Sequence, residues 1–179
     1  MIEVDNQKDV LAHTYLKYNG VYNWKEILRF MRKWVEKNGY AYFDKKYKEK
    51  PGQYGTDIEW KAEAEKKVDG YFKYYHKWEF RAWDQVPIEI IKDGKKVMME
   101  EGRIRIVFNS SFVFDYEKQF EDHGTLVKRM ELFLFKRAYG EEYWAIHWDG
   151  LYYEMQRFKN EVEAHLQMET ATEGSPYHG

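Results

Sequence analysis

Hydrophobic side chains recur every three to four residues in two separate stretches of the chain, a spacing that is typical of amphipathic helices. The first stretch predicts a helix over residues 24–38. Asn23 stands where its side chain can cap this helix, and Glu26 completes a start that resembles a capping box. Gly39 follows where a left-handed residue would end the helix. The apolar face consists of Trp24, Ile27, Leu28, Met31, Trp34 and Val35.

The second helical pattern lies near the C-terminus and predicts a long helix over residues 151–168. Asp149 stands where its side chain can cap that helix. Beyond the pattern, residues 170–179 are mostly small or polar, which predicts a flexible tail. The apolar face of the second helix consists of Leu151, Met155, Phe158, Val162, His165 and Leu166.

Between the two helices the hydrophobic period falls to two residues, which indicates β-strands. In residues 56–65 the Ala- and Glu-rich composition favours a helix, but a helix would carry charges on every face, so the alternation favours a strand. Asp69 and Gly70 predict a hairpin turn that leads into an aromatic strand over residues 71–83. Further strands are predicted over 13–18, 40–48, 103–116 and 126–139, with a short hairpin over 88–99 and a bulge or bend at 109–111.

This order of elements predicts a single α+β domain, residues 1–169, in which two helices cover one face of a curved antiparallel sheet. By element order the chain resembles the helix-grip fold of START-like and Bet v 1-like proteins, in which a curved sheet wraps the C-terminal helix. The resemblance covers most of the chain. It implies a cavity between the sheet and the C-terminal helix that can hold an apolar ligand.

The leading functional hypothesis is a non-enzymatic protein that binds an apolar or aromatic small ligand in that cavity. The candidate side chains are equally compatible with an ordinary core. In that case a protein partner, such as a second copy of the chain in a homodimer, would bind the aromatic outer face of the sheet. The candidate ligand-binding residues are His76, Trp78, Phe80, Met155 and Phe158.

Composition narrows the class of protein. Of the 179 residues, 44% are hydrophobic and 19% are aromatic, which is too much apolar material for a disordered chain. The absence of cysteine excludes disulfides, thiolate metal sites and thiol nucleophiles. No histidine spacing matches a metal motif, so neither a metal nor a cofactor is expected. The acidic N-terminus and the lack of an apolar stretch of roughly 20 residues indicate a cytoplasmic protein with no membrane contact.

The distribution of charge keeps nucleic-acid binding open as an alternative. The net charge is -2, yet residues 17–50 hold 10 basic and 4 acidic side chains. Strands that present aromatic rings beside Lys and Arg can stack bases and hold phosphates. The candidate residues for this contact are Arg29, Arg32, Lys33, Lys45, Lys46, Lys48, Lys73, Tyr75, Lys77 and Arg81.

A hydrolase is the second alternative. Residues 141–149 gather carboxylates, an imidazole and aromatic rings, and the candidate catalytic residues are His147, Asp149 and Glu142. A histidine beside an aspartate can act as an acid–base pair. Because Asp149 is already explained as a helix cap and no nucleophile motif is present, enzymatic activity is the minority hypothesis.

Overall fold

The computed structural model describes residues 12–92, 95–114, 116–117 and 125–171. Within these ranges the chain forms five strands and two helices, which confirms the α+β class. The strands are β1 (Ala12–Tyr22), β2 (Ala41–Pro51), β3 (Thr56–Lys67), β4 (Phe72–Lys92) and β5 (Lys95–Phe114). The helices are α1 (Trp24–Lys37) and α2 (Thr125–Ala171).

The five strands form one antiparallel sheet in the order β1-β5-β4-β3-β2. Both helices pack against one face of this sheet, where Phe158 of α2 is the common contact. Its ring stacks on Trp34 of α1 at a centroid distance of 4.2 Å. It also meets the edges of Trp78 on β4 and Phe108 on β5, at 5.4 and 5.6 Å. The core therefore lies between one sheet face and two helices.

Helix α1 confirms the first helical prediction, including its ends. The backbone N–H of Glu26 donates to the side-chain oxygen of Asn23 at 3.1 Å, as a capping residue requires. Gly39 ends the segment with a φ of 81°, a backbone conformation that favours glycine. The buried positions are Ile27, Met31, Trp34 and Val35.

Strand β3 confirms that alternation decides over composition in residues 56–65. Every second side chain points into the core and is at most 4% exposed, while its neighbours face outward. Ala62 lies opposite Trp78 and Ala64 lies opposite His76 on β4, so small residues of β3 stand beside large ones of the neighbouring strand. The buried positions are Ile58, Trp60, Ala62 and Ala64.

The strand predicted over residues 126–139 is wrong, because these residues belong to α2. The helix begins at Thr125 instead of near residue 151, and it reaches Ala171. The alternation that suggested a strand breaks down at residues 132–135, which are all apolar. Leu126, Met130 and Phe133 are separated by four and three residues, which is helical spacing.

The early start of α2 also changes the role of Asp149, which lies inside the helix and does not cap it. The bulge predicted at 109–111 is wrong too, since Ser110 and Ser111 continue the ladders of β5 in register. Small hydroxyl side chains fit a strand when they find hydrogen-bond partners. Of the tail predicted over 170–179, Thr170 and Ala171 belong to α2, and residues 172–179 lie outside the described part of the chain.

The domain bounds 1–169 include residues outside the described ranges and stay a prediction. No helix in the described part of the chain combines the length and the apolar character needed to cross a membrane.

Candidate functional site

The five side chains predicted to bind an apolar ligand lie together in the core between the sheet and α2. His76 and Trp78 are each 1% exposed, and Phe80 is fully buried. Met155 and Phe158 of α2 are buried in the same region. None of the five borders the cleft described below. They fill the core, and their contact with a ligand stays a prediction.

His76 is a neutral, packed group. Its Nδ1 lies 2.6 Å from the hydroxyl oxygen of Ser110, and its ring contacts those of Tyr40 and Trp78 at 4.8 and 6.0 Å. Burial lowers the pKa of His76 to about 3, and the charge of Lys66 adds to the effect. The imidazole is therefore uncharged at any ordinary pH.

A cleft of about 940 Å³ opens on the helical side of the sheet, between the start of α1 and strands β2 to β5. Trp24 and Leu28 come from the first turns of α1, and Trp60 comes from β3. Gln85 of β4 and Glu100 of β5 supply polar walls. The cleft also has charged walls, formed by Lys25, Asp44, Lys45, Lys46, Glu49 and Glu100, so it combines aromatic faces with ionic groups.

The aromatic wall of the cleft is held in place by hydrogen bonds and stacking. Trp24 stacks on Tyr47 with ring centroids 5.7 Å apart and planes at 14°. Trp60 donates its indole N–H to a carboxylate oxygen of Asp44 at 2.9 Å. Tyr47 donates to Glu49 at 2.9 Å, and burial together with this bond raises the pKa of Tyr47 to about 12. The carboxylates of Asp44 and Glu49 thus hold two of the aromatic side chains of the cleft by hydrogen bonds.

A β-bulge in β4 turns Gln85 toward the cleft. Asp84 and Gln85 together lie opposite Gly102 of β5, so the ladder gains one residue on the β4 side. Asp84 has a φ of 54°, and its carboxylate pairs with Arg103. Non-glycine residues in this conformation are uncommon and concentrate at functional sites.

A second glycine, Gly55 in the connection between β2 and β3, lets that connection come close to the backbone of the bulge. A Cβ atom on Gly55 would lie 2.6 Å from the backbone oxygen of Gln85, closer than real Cβ contacts allow. The backbone of the β2–β3 connection and that of the bulge therefore approach each other only because residue 55 has no side chain.

Gln85 is 5% exposed, and its side-chain oxygen makes no hydrogen bond to any described residue. A buried carbonyl without a donor is unfavourable by about 1–3 kcal/mol. Behind Glu100 lies the buried Tyr22, whose pKa is raised by burial and by the charge of Glu100. The side-chain oxygen of Gln85 is therefore an available hydrogen-bond acceptor in the cleft wall, which favours a ligand that carries a donor.

None of Trp24, Tyr47, Trp60 and Gln85 was predicted as a site residue. One sequence signal does mark the place, since Asp84 and Gln85 break the alternation of the long aromatic strand just before Pro87. The break becomes informative only when the partner strands are known, because the bulge is defined by pairing.

The candidate catalytic residue His147 joins a different group from the one predicted. It is 6% exposed, and its Nδ1 lies 2.8 Å from the hydroxyl of Tyr74. Its Nε2 lies 3.5 Å from a carboxylate oxygen of Asp69, and its ring stacks on Phe72 at 4.1 Å. Burial lowers the pKa of His147, and the charge of Asp69 opposes that effect.

The other two catalytic candidates do not join this group in the described structure. Asp149 is exposed, two residues further along α2 and so on a different side of the helix. Glu142 belongs to α2, and its side chain lies outside the described part. Asp69 also accepts the backbone N–H groups of Tyr71 and Phe72 at 2.7 Å, which shapes the β3–β4 turn.

Seven of the ten nucleic-acid candidates are paired with carboxylates, on the sheet or on α1. Lys46 lies 2.7 Å from Glu59, and Lys73 lies 2.9 Å from Glu65. Tyr75 receives the ammonium group of Lys73 over its ring at 5.2 Å. The further pairs are Lys45–Glu63, Lys77–Glu63, Arg81–Glu79, Arg29–Glu26 and Arg32–Glu36, whereas Lys33 and Lys48 are exposed.

Within the described ranges, no three His, Asp or Glu side chains lie close enough together to hold a metal ion. Comparison of the chain with protein-family models found no match, and comparison with curated proteins found none either.

Proposed function

We propose that this protein binds a small organic ligand in the cleft between α1 and the sheet, without catalysis. The observation that carries the proposal is the side-chain oxygen of Gln85, which is buried in the cleft wall and bonds no described residue. Proteins rarely keep such an acceptor unless a water or a ligand satisfies it. The bulge at Asp84 holds this side chain in place, in a conformation that has its own cost in stability.

The walls indicate the chemistry of the ligand. The stacked pair Trp24 and Tyr47 favours a flat ring, and the side-chain oxygen of Gln85 favours an N–H or O–H donor on that ligand. Lys25 stands at the same cleft and can contact an acceptor on the outer part of the ligand. A volume of about 940 Å³ lies at the upper end of the range for small-molecule sites.

The proposal is tested by the variant Gln85→Met, which keeps the size of the side chain and removes its acceptor. We expect ligand affinity to fall about tenfold, while the melting temperature stays the same or rises because a buried unsatisfied group is gone. Native mass spectrometry of freshly purified protein detects a co-purified ligand. Ligand-observed NMR with a library of flat heterocycles then supplies binders for affinity measurements.

The matched control is Gln53→Met, the same change at an exposed position of the β2–β3 turn. It should leave affinity unchanged. A wild-type protein that carries no extra mass and binds no heterocycle in a Gln85-dependent way would contradict the proposal.

The other functional hypotheses stay predictions. We propose the helix-grip resemblance as the finer description of the fold, supported by α2 packing across the sheet at Phe158 and by bulges in β2 and β4 that bend strands. The cation–carboxylate pairs on the outer face give nucleic-acid binding less support than the sequence alone did. A cytoplasmic location, a protein partner on the outer aromatic face and hydrolysis at His147 are likewise untested.

A further inference from the structure

Three cations stand side by side on the outer face of the sheet, the face that points away from the helices. Lys17 of β1 lies opposite Arg105 of β5 in the strand register, and Arg105 lies opposite Arg81 of β4. Each of the three alternates along its strand with buried side chains such as Leu16 and Ile106, so they share the outer face. Neighbouring strands are about 4.7–4.9 Å apart, which brings the three backbone positions within about 10 Å. We call these three residues the cation row.

Carboxylates compensate only one end of the cation row. Arg81 has a carboxylate oxygen of Glu79 at 3.6 Å and lies opposite Glu59 of β3. Within the described ranges, neither Lys17 nor Arg105 forms an ion pair with a carboxylate. Like charges that lie directly opposite each other destabilise a sheet. Two positive charges on neighbouring strands are therefore kept at a cost in stability.

The ring of Tyr15 holds these two charges beside each other. The Nζ atom of Lys17 lies 5.4 Å from the ring centroid, and the guanidinium carbon of Arg105 lies 5.2 Å from it. Arg105 is half-buried, and its Nε atom is buried with no hydrogen-bond partner in the described structure. A buried donor without an acceptor is also unfavourable. Proteins break such local rules of stability mainly at functional sites.

A groove of about 460 Å³ opens at Lys17 and Arg105, and an indole ring forms part of its wall. The indole belongs to Trp83 of β4, which lies opposite Arg103 of β5. The charge of Arg103 is already paired with Asp84. The volume lies within the range of small-molecule sites. An aromatic face beside two cations suits a flat ring that carries a negative charge.

We infer that the protein binds a phosphate monoester of an aromatic compound in this groove, with the phosphate at Lys17 and Arg105 and the ring against Trp83. A phosphate monoester carries about −1.5 to −2 elementary charges near neutral pH, which matches the two uncompensated cations, whereas a carboxylate carries only one charge. Its terminal oxygens can accept from the guanidinium and the ammonium group together. The groove and the cleft beside Gln85 lie on opposite faces of the sheet, so either site can be occupied without the other.

Isothermal titration calorimetry with adenosine monophosphate tests this site, with adenosine and inorganic phosphate as the separate parts of the probe. We expect adenosine monophosphate to bind more tightly than either part. The variants Arg105→Met and Lys17→Met each remove one charge and keep an unbranched side chain, and each should weaken binding about tenfold. The melting temperature should not fall, because one of two facing like charges is gone.

Two control variants locate the bound probe. Lys37→Met makes the same change at an exposed lysine of α1 and should leave the affinity unchanged. Gln85→Met alters the cleft and should leave it unchanged too. Binding that is lost in Gln85→Met but kept in Arg105→Met would place the probe in the cleft and overturn the assignment of the groove.

The groove is also excluded as the proposed site if adenosine monophosphate does not bind at millimolar concentration. If a single-stranded oligouridylate bound in its place, the cation row would be a nucleic-acid contact instead. Inorganic phosphate that binds as tightly as adenosine monophosphate would show that no ring rests on Trp83, and the aromatic ligand would be ruled out.

Discussion

His76 is enclosed by the rings of Tyr40 and Trp78, and its Nε2 meets no hydrogen-bond partner in the described structure. Protonation would place a charge in this apolar space, and burial accordingly lowers the pKa of His76 to about 3. In the unfolded chain a histidine titrates near 6.5. The unfolded state therefore takes up the proton first as pH falls. Stability that is fully present above pH 6.5 is lost progressively toward pH 3.

The replacement His76→Gln tests this dependence, because glutamine can still bond Ser110 but does not titrate. We expect the stability advantage of the wild type over the variant to shrink by about 2 kcal/mol between pH 7 and pH 5. Urea denaturation at both pH values measures it. The same replacement at an exposed position, His13→Gln, is the control and should leave the pH dependence that comes from His76 in place. If His76→Gln kept the pH dependence of the wild type, His76 would take up its proton equally readily in the folded and the unfolded chain, and its lowered pKa would be contradicted.

The surroundings of Gln85 and His147 could not be predicted from local patterns in the sequence. The side-chain oxygen of Gln85 lies in the cleft because two residues of β4 oppose one of β5, which alternation along a single strand does not encode. His147 was found as a chemically notable residue, but its partners Asp69 and Tyr74 are more than 70 residues away in sequence. Such partners follow from tertiary packing, which no local pattern specifies.

At the scale of elements, Gly150 of α2 allows the contribution of backbone entropy to stability to be measured alone. Replacing it by alanine changes helix propensity without changing the packing of the core. Gly150 is exposed in the helix, and a Cβ atom there would meet only the hydroxyl of Tyr74, at an ordinary 3.9 Å. We expect Gly150→Ala to stabilise the protein by about 1 kcal/mol, as helix propensity implies. Thermal denaturation measures the change.

Gly39→Ala is the opposite case, since its φ of 81° strains any side chain, and it should destabilise by about 1 kcal/mol. If both alanine variants changed stability in the same direction, residue 150 would be constrained by something other than the helix.

The sequence predicted an element correctly where one of its faces is buried in the core and the other is exposed to solvent. Helix α1 has a cap, a terminal glycine and a single apolar stripe, and β3 has an uninterrupted alternation. The first half of α2 lacks these signs, because Leu132 to Phe135 are four apolar residues in succession. A run of this kind fits a strand or a helix equally, and the structure assigns it to a helix.

At the scale of the whole molecule, protection of the backbone is expected to decrease from the centre of the sheet toward β2. Strands β4 and β5 pair on both sides, whereas β2 is an edge strand whose side chains are nearly all exposed. Amides of β2 should therefore exchange with deuterium about tenfold or more faster than those at the centre of β4. Hydrogen-exchange mass spectrometry resolves these segments. Equal protection of both strands would mean that a partner covers the β2 edge.

The surplus of cations in residues 17–50 is offset in the folded protein by carboxylates from outside this stretch. The sequence window is basic, yet Lys46 meets Glu59 and Lys45 meets Glu63 from the neighbouring strand. Each pair contributes little to stability at an exposed site. Together they offset the local charge, which a window along the sequence does not detect because the carboxylates lie outside it.

The pairing of the first strand with the last one sets the order in which this chain can fold during synthesis. His13 bonds Asn109, 96 residues later, so β1 has its neighbour only after β5 has left the ribosome. At about 5–20 residues per second, that delay lasts several seconds. Contacts between neighbours in sequence, such as β2 with β3, form sooner, while distant contacts are slow. The strand made first is therefore the last strand to pair, and until then its core side chains, such as Leu16, remain in contact with water.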